Sequence, residues 1–303
     1  MAEKQAVGGS LILRAWRWIP VVVRAVVMGE IVCDVGGLPP DLLMLANLKH
    51  SPAIPWLLPP AALWLWLFWR YMNGKGWPQS TANARHRDLR ARPLPRKVWI
   101  WSLFAGALGH VSVAGFGFLT ARVANLPRDA YKLPIDLSAY PAWTVISVLL
   151  VISVSAGVVE EAVFRGYALS LIQRRHGWIV GIVVTGLMFF AAHLGHAYVT
   201  LAFLPFFLAV STVHGLLVYF TRSILPSVVL HSVLDFIVIP VQYGLIWNLS
   251  VAPVWKTGID PLFVTYVAVT LIFGLAAVPA FRRLASVTGD MHLADESASG
   301  FEG

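Results

Sequence analysis

Eight apolar stretches succeed one another along the chain, at roughly 18–36, 54–72, 99–121, 142–164, 178–197, 199–220, 224–246 and 259–281. Each is near the length of about 20 residues that crosses a bilayer as a helix. The pattern predicts an all-α fold, a polytopic transmembrane bundle of about eight membrane-spanning helices. Composition points the same way: of 303 residues, 58% are hydrophobic and 13% charged, against about 45–50% and about 25% in a soluble domain. So little charge leaves too little polar surface to cover a water-soluble globule of this size. Disordered chains, collagen, coiled coils and disulfide scaffolds are excluded by the same figures. Cys33 is the one cysteine, so no intrachain disulfide forms. The net charge of +8 suits cytoplasmic loops rather than nucleic acid, because no soluble basic domain is long enough to bind it.

Charge placement sets the topology. With the N-terminus cytoplasmic and every stretch crossing, the inside loops hold 16 Lys and Arg and the outside loops hold 5. That asymmetry reads as eight crossings with both termini cytoplasmic. All of the 13 Trp except Trp64 and Trp66 lie near predicted span ends, as an aromatic belt requires. The first stretch carries Arg24, Glu30 and Asp34 and runs into Gly36-Gly37-Leu38-Pro39-Pro40, so it either crosses or lies in the interface. It lacks the apolar core and small-residue cleavage site of a removed signal peptide. The longest polar stretch, 73–98, reads as a basic cytoplasmic loop against anionic headgroups, with partner docking as the sharper alternative. Residues 1–140 thus form N-terminal helices with a basic loop, 141–247 a candidate catalytic core, and 248–283 a last helix. The remainder, 284–303, is a polar tail predicted to be disordered.

Ionisable groups at membrane depth cost about 2.5–3.5 kcal/mol each on insertion scales, so each needs a reason. They concentrate in 142–246: Glu160, Glu161 and Arg165, then His193 and His196, His214, and finally His231 with Asp235. In the first half only Arg24, Glu30, Asp34 and His110 compete. Glu161 and Arg165 are four residues apart and share a helix face, which predicts an ion pair. Glu160 points about 100° away and keeps an uncommitted carboxylate. His231 and Asp235, and also Phe189 and His193, repeat the four-residue step. Between the two arms, Arg174-Arg175-His176-Gly177 reads as a helix end at the cytoplasmic side. Two antiparallel helices meeting there bring Glu160 and His193 to similar depth.

A carboxylate, two histidines and a further polar group on three helices form a hydrolytic constellation. Either Glu160 is the general base toward water, with His193 positioning it and His231 and Asp235 steadying the oxyanion or protonating the leaving amine. Or the same side chains ligate zinc, which activates the water instead. No HExxH occurs. The plainer alternative for any one histidine is a hydrogen bond between core helices. It is the preferred reading for His110, His196 and His214, which have no carboxylate at helical spacing, while Phe189 reads as packing.

Three segments together carry a resemblance. Glu160-Glu161-Ala162-Val163-Phe164-Arg165-Gly166 resembles the EExxxR motif of the CAAX prenyl endopeptidase and bacteriocin-processing family (CPBP, also called Abi), a group of intramembrane proteases. Phe189-Phe190-Ala191-Ala192-His193 resembles its FxxxH motif, and His231-Ser232-Val233-Leu234-Asp235 its HxxxN/D motif, approached through Arg222-Ser223-Ile224-Leu225-Pro226. The resemblance implies that Glu160 and His193 activate water, that His231 and Asp235 stabilise the tetrahedral intermediate, and that Glu161 and Arg165 hold the site together. It leaves the cofactor open, a divalent metal such as zinc or none, with Glu160, His193, His231 and Asp235 as the candidate ligands. Asp235 stands where eukaryotic members favour Asn, and an ionised Asp accepts from His231 or a metal rather than donating to an oxyanion. The implied protein is an intramembrane endopeptidase of a bacterial plasma membrane, acting on a membrane-associated protein or peptide among lipids. A non-catalytic scaffold or immunity protein of the same fold, and a proton-coupled transporter, are the rivals.

Overall fold

The computed structural model describes residues 18–124, 126, 130–131, 135–245 and 252–299, with side chains as far as 289 in the last segment. Inside lipid every backbone N–H and C=O needs a partner from the protein, and long apolar segments meet that need as helices. Most of each expected span is helical among the described residues, with no strand among them. The long elements are α1 (Val21–His50), α2 (Leu58–Met72), α3 (Ala82–Leu89), α4 (Arg96–Val123) and α5 (Ala142–Glu160). A π-helical turn, Glu161–Ala168, leads from α5 into α6 (Leu169–Ala192), and α7 (Leu204–Thr221), α8 (Leu225–Gln242) and α9 (Pro261–Ser299) complete the bundle. Proline near the first turn starts α2, α7 and α8, where its missing N–H costs nothing.

Five segments among the described residues are long and apolar enough to cross a membrane: Arg96–Val123, Ala142–Ala192, Leu201–Thr221, Leu225–Gln242 and Pro261–Gly289. The second is 51 residues long and contains two expected spans, separated at Gly177, whose φ of +80° breaks the helical path where the sequence places a turn. The first two expected spans fall on α1, which carries Arg24, Glu30, Asp34 and Asp41, and on α2, of 15 residues; neither meets that length and polarity.

Packing brings α5 against α8, α6 against α7, and α4 against α7 and α9, with α1 lying over α5 and α6. Pro40 cannot donate to the carbonyl of Gly36 within α1, and the Trp64 indole supplies that donor at 3.0 Å. This bond accounts for one of the two tryptophans away from a span end. The basic stretch 73–98 is folded against the bundle. Its Asp88 is buried and accepts from Arg174 Nη1 at 2.7 Å, while the Ser223 hydroxyl donates to Arg92 O at 2.8 Å. α9 runs past residue 283, where the polar composition predicts a disordered tail. Leu284 and Val287 are buried there with Val98, Leu217 and Leu230.

One close approach governs the geometry of the site. A Cβ on Gly157 of α5 would meet the Ser232 hydroxyl and stand 2.9 Å from both Ser232 N and Val228 O on α8. Hydrogen here lets α8 carry His231 up to the end of α5. Gly157→Val is expected to destabilise the protein by about 1–3 kcal/mol through overpacking. Gly37→Ala on α1, where nothing lies within 4 Å of the new methyl, is the control in the same detergent unfolding experiment, expected to raise stability by up to about 1 kcal/mol through helix propensity.

Candidate active site

The two adjacent carboxylates at the end of α5 diverge at the π-helical turn, a local widening that recurs at functional sites. Glu161 turns inward. It is fully buried, its Oε1 lies 3.2 Å from Arg165 Nη1, and Arg165 is equally buried. The guanidinium also stands over the Phe189 ring, 4.7 Å from its centre, a cation–π contact that caps the pair. Phe189 is thereby packing, as its spacing suggests, and its face is turned to the charge.

His231 gathers the carboxylates. Its Nδ1 lies 2.8 Å from Glu161 Oε1, while its Nε2 lies 3.4 Å from Asp235 Oδ2 and 3.7 Å from Glu160 Oε2. One imidazole thus faces three carboxylates, and Glu161 fixes the orientation of the ring. Glu161 pairs with Arg165 and His231 with Asp235, as their four-residue spacings imply, and His231 brings the two pairs and Glu160 together across helices. His193 ends α6 with its Nδ1 2.8 Å from Phe189 O, so that nitrogen donates and Nε2 is left as the acceptor. It shares with His231 and Asp235 a chamber of about 450 Å3, walled mainly by aromatic and aliphatic side chains including Phe189, Phe207 and Tyr198. Glu160 lines a different cavity on the α1 side of α5.

Two histidines read as core residues extend this network. His110 Nδ1 lies 2.7 Å from Gly106 O and must donate, so its Nε2 accepts from His214 Nε2 at 2.8 Å. In a neutral ring that leaves His214 Nδ1 an acceptor, and it stands 3.6 Å from Glu161 Oε2 with no hydrogen bond at either atom. Both histidines are hydrogen-bonded core residues, and they also adjoin the site. Their partners come from other helices, so no spacing within one helix could announce them. The cost of an imidazole at bilayer depth was the only signal. Among the described residues, Glu161, His214 and His231 each offer one atom within 4.8 Å of the others, a group that fits a divalent ion. The unpartnered Glu161 Oε2 and His214 Nδ1 are the donors that suit it.

Residues 141–237 match the family model of the Rce1-like type II CAAX prenyl endopeptidases. The Rce1-like segment is about a third of the chain and contains all three motifs, and the match bears out the resemblance they carry. It runs from the start of α5 through Asp235 on α8. Among the polar groups of the network only His110, on α4, lies outside it. With five apolar segments of spanning length, the chain is an integral membrane protein with a CAAX-protease-like domain. Neither the curated proteins nor the solved structures give a significant match.

Proposed function

We propose that this protein is an intramembrane endopeptidase that hydrolyses a peptide bond of a membrane-associated protein or peptide, using water activated by Glu160 and His193. The observation that carries the reading is the contact of Glu160 Oε2 with His231 Nε2, 3.7 Å apart, beside an apolar chamber that also presents His193 and Asp235. An apolar chamber suits an apolar or lipidated segment. Glu160 takes a proton from water as its oxygen attacks the carbonyl carbon, and returns that proton to the leaving amine as the C–N bond breaks. His193, with Nδ1 held by Phe189 O, keeps Nε2 as an acceptor for that water from the side of the apolar chamber. His231, oriented by Glu161, is the donor to the oxyanion, and the surrounding carboxylates balance its positive charge. Asp235 accepts from His231 Nε2 before substrate is bound and gives up that N–H to the oxyanion in the transition state, a role open to an ionised carboxylate, which could not itself donate. A bacterial plasma membrane is the proposed location, by analogy with the large bacterial branch of the family.

A divalent ion, where bound, would be held by Glu161, His214 and His231 and would supply Lewis-acid activation of water. The glutamate scheme predicts full cleavage after exhaustive chelation, with less than one metal per chain by elemental analysis. Loss of activity on chelation, restored by zinc and weakened by His214→Phe, transfers water activation to the ion. The proteolytic reading itself is tested in proteoliposomes against a panel of lipidated and tail-anchored peptides. Product masses locate the bond, and cleavage of none by folded protein overturns the proposal.

A further inference from the structure

We infer that the water consumed in hydrolysis reaches Glu160 through a second chamber, acidic and separate from the apolar one that receives the substrate. This chamber, about 290 Å3, lies between α1 and α5 and is lined by Cys33, Asp34, Gly37 and Asp41 on one side and by Ser155 and Glu160 on the other. Glu30, Asp34, Gly37 and Asp41 follow one another at steps of four, three and four residues, so they form a single stripe along α1. α1 packs against the spanning helix α5, and carboxylates carried into lipid cost about 2.5–3.5 kcal/mol each on insertion scales unless water reaches them. A wet chamber removes that cost and gives the charges of α1 a purpose.

Ser155 makes the same point independently of the charges. It is 6% exposed, lines the chamber, and its hydroxyl has no partner in the protein. Ser147, two turns earlier on the same helix, donates to Trp143 O at 2.7 Å in the ordinary helical way. Ser153 also lacks a hydroxyl partner, but Ser155, unlike it, lines a space large enough to hold several waters. The chambers adjoin: Ile152 lines both, and two turns further along α5 Glu160, at the acidic chamber, lies 3.7 Å from His231 of the apolar one. A substrate segment filling the apolar chamber closes that side to solvent, whereas the acidic side stays open to the base. Glu160 therefore stands between water and substrate.

The inference rests on the peptidase reading for what the water does, but not for whether the chamber is wet. A Cys33→Ser background removes the one native thiol, and Gly37→Cys then places a thiol where nothing lies within 4 Å. With a charged methanethiosulfonate on both faces of proteoliposomes, it is expected to react at least tenfold faster than Val35→Cys on the exposed apolar side of α1. Equal rates overturn the wet chamber. Gly37→Trp, filling the space, is expected to lower kcat at least tenfold with KM within twofold and the thermal unfolding temperature unchanged. An unchanged kcat overturns the route. If wild-type protein cleaves no substrate, the peptidase reading falls alone, because the labelling rates still decide whether the chamber is wet.

Discussion

Glu160→Gln is expected to lower kcat for a membrane-bound peptide by about 10²- to 10⁴-fold, the usual contribution of a general base. The amide keeps the size of the side chain but cannot take a proton from water. KM should stay near its wild-type value, because the substituted group touches the reacting water rather than the bound segment. The fold should hardly register the change. Glu160 keeps 20% of its side chain exposed, lies 3.7 Å from His231 and leaves the Arg165 pairing to Glu161. A shift in unfolding free energy within about 1 kcal/mol is expected. Single-turnover cleavage in proteoliposomes, set beside thermal unfolding in detergent, measures both quantities. A variant that cleaves at the wild-type rate ends the proposal. In a scaffold or immunity protein the same change alters no rate, so the experiment separates the enzyme from its non-catalytic rival.

Glu161→Ala is expected to behave in the opposite order, with stability lost first. The carboxylate has no exposure, and its removal strands a fully buried guanidinium between the Phe189 and Phe164 rings. Breaking a buried pair on one side costs about 3–5 kcal/mol. His231 also loses the acceptor 2.8 Å from its Nδ1, and with it the orientation of the ring. The double variant Glu161→Leu with Arg165→Met replaces the pair by apolar groups of similar size and should recover most of the stability. It should not recover cleavage, because His231 is no longer held. Denaturant unfolding in detergent reads the first effect and peptide cleavage the second. Single-variant stability equal to wild type would remove Glu161 from its structural role.

Much of the site was legible because its parts repeat the helical period. Glu161 with Arg165 and His231 with Asp235 sit four residues apart, and the structure brings each pair within 3.4 Å. The uncommitted direction of Glu160 was readable from its neighbour in the same way. What escaped depends on distances between helices. The link from His214 to His110 joins α7 to α4, residues 104 apart, and no local spacing signals it. The two chambers exist only once α1 lies over α5. The burial of Leu284 and Val287 runs against the polar composition around them, which is tertiary packing overriding a local preference. The π-helical turn leaves no mark in the residue pattern, since Glu161 and Arg165 would share a face in an α-helix as well.

The hydrogen bond between His110 and His214, together with the grip of Arg174 on Asp88, bears on how far the matched segment is a portable unit. Each bond has one partner inside 141–237 and the other in the helices before it. Cut out or grafted behind different helices, the segment would bring its motifs but carry an imidazole-sized gap beside α7 and an arginine, Arg174, without its carboxylate. The N-terminal helices are therefore part of the fitting of the candidate site, and chimeras between distant relatives should succeed only when both halves are exchanged together.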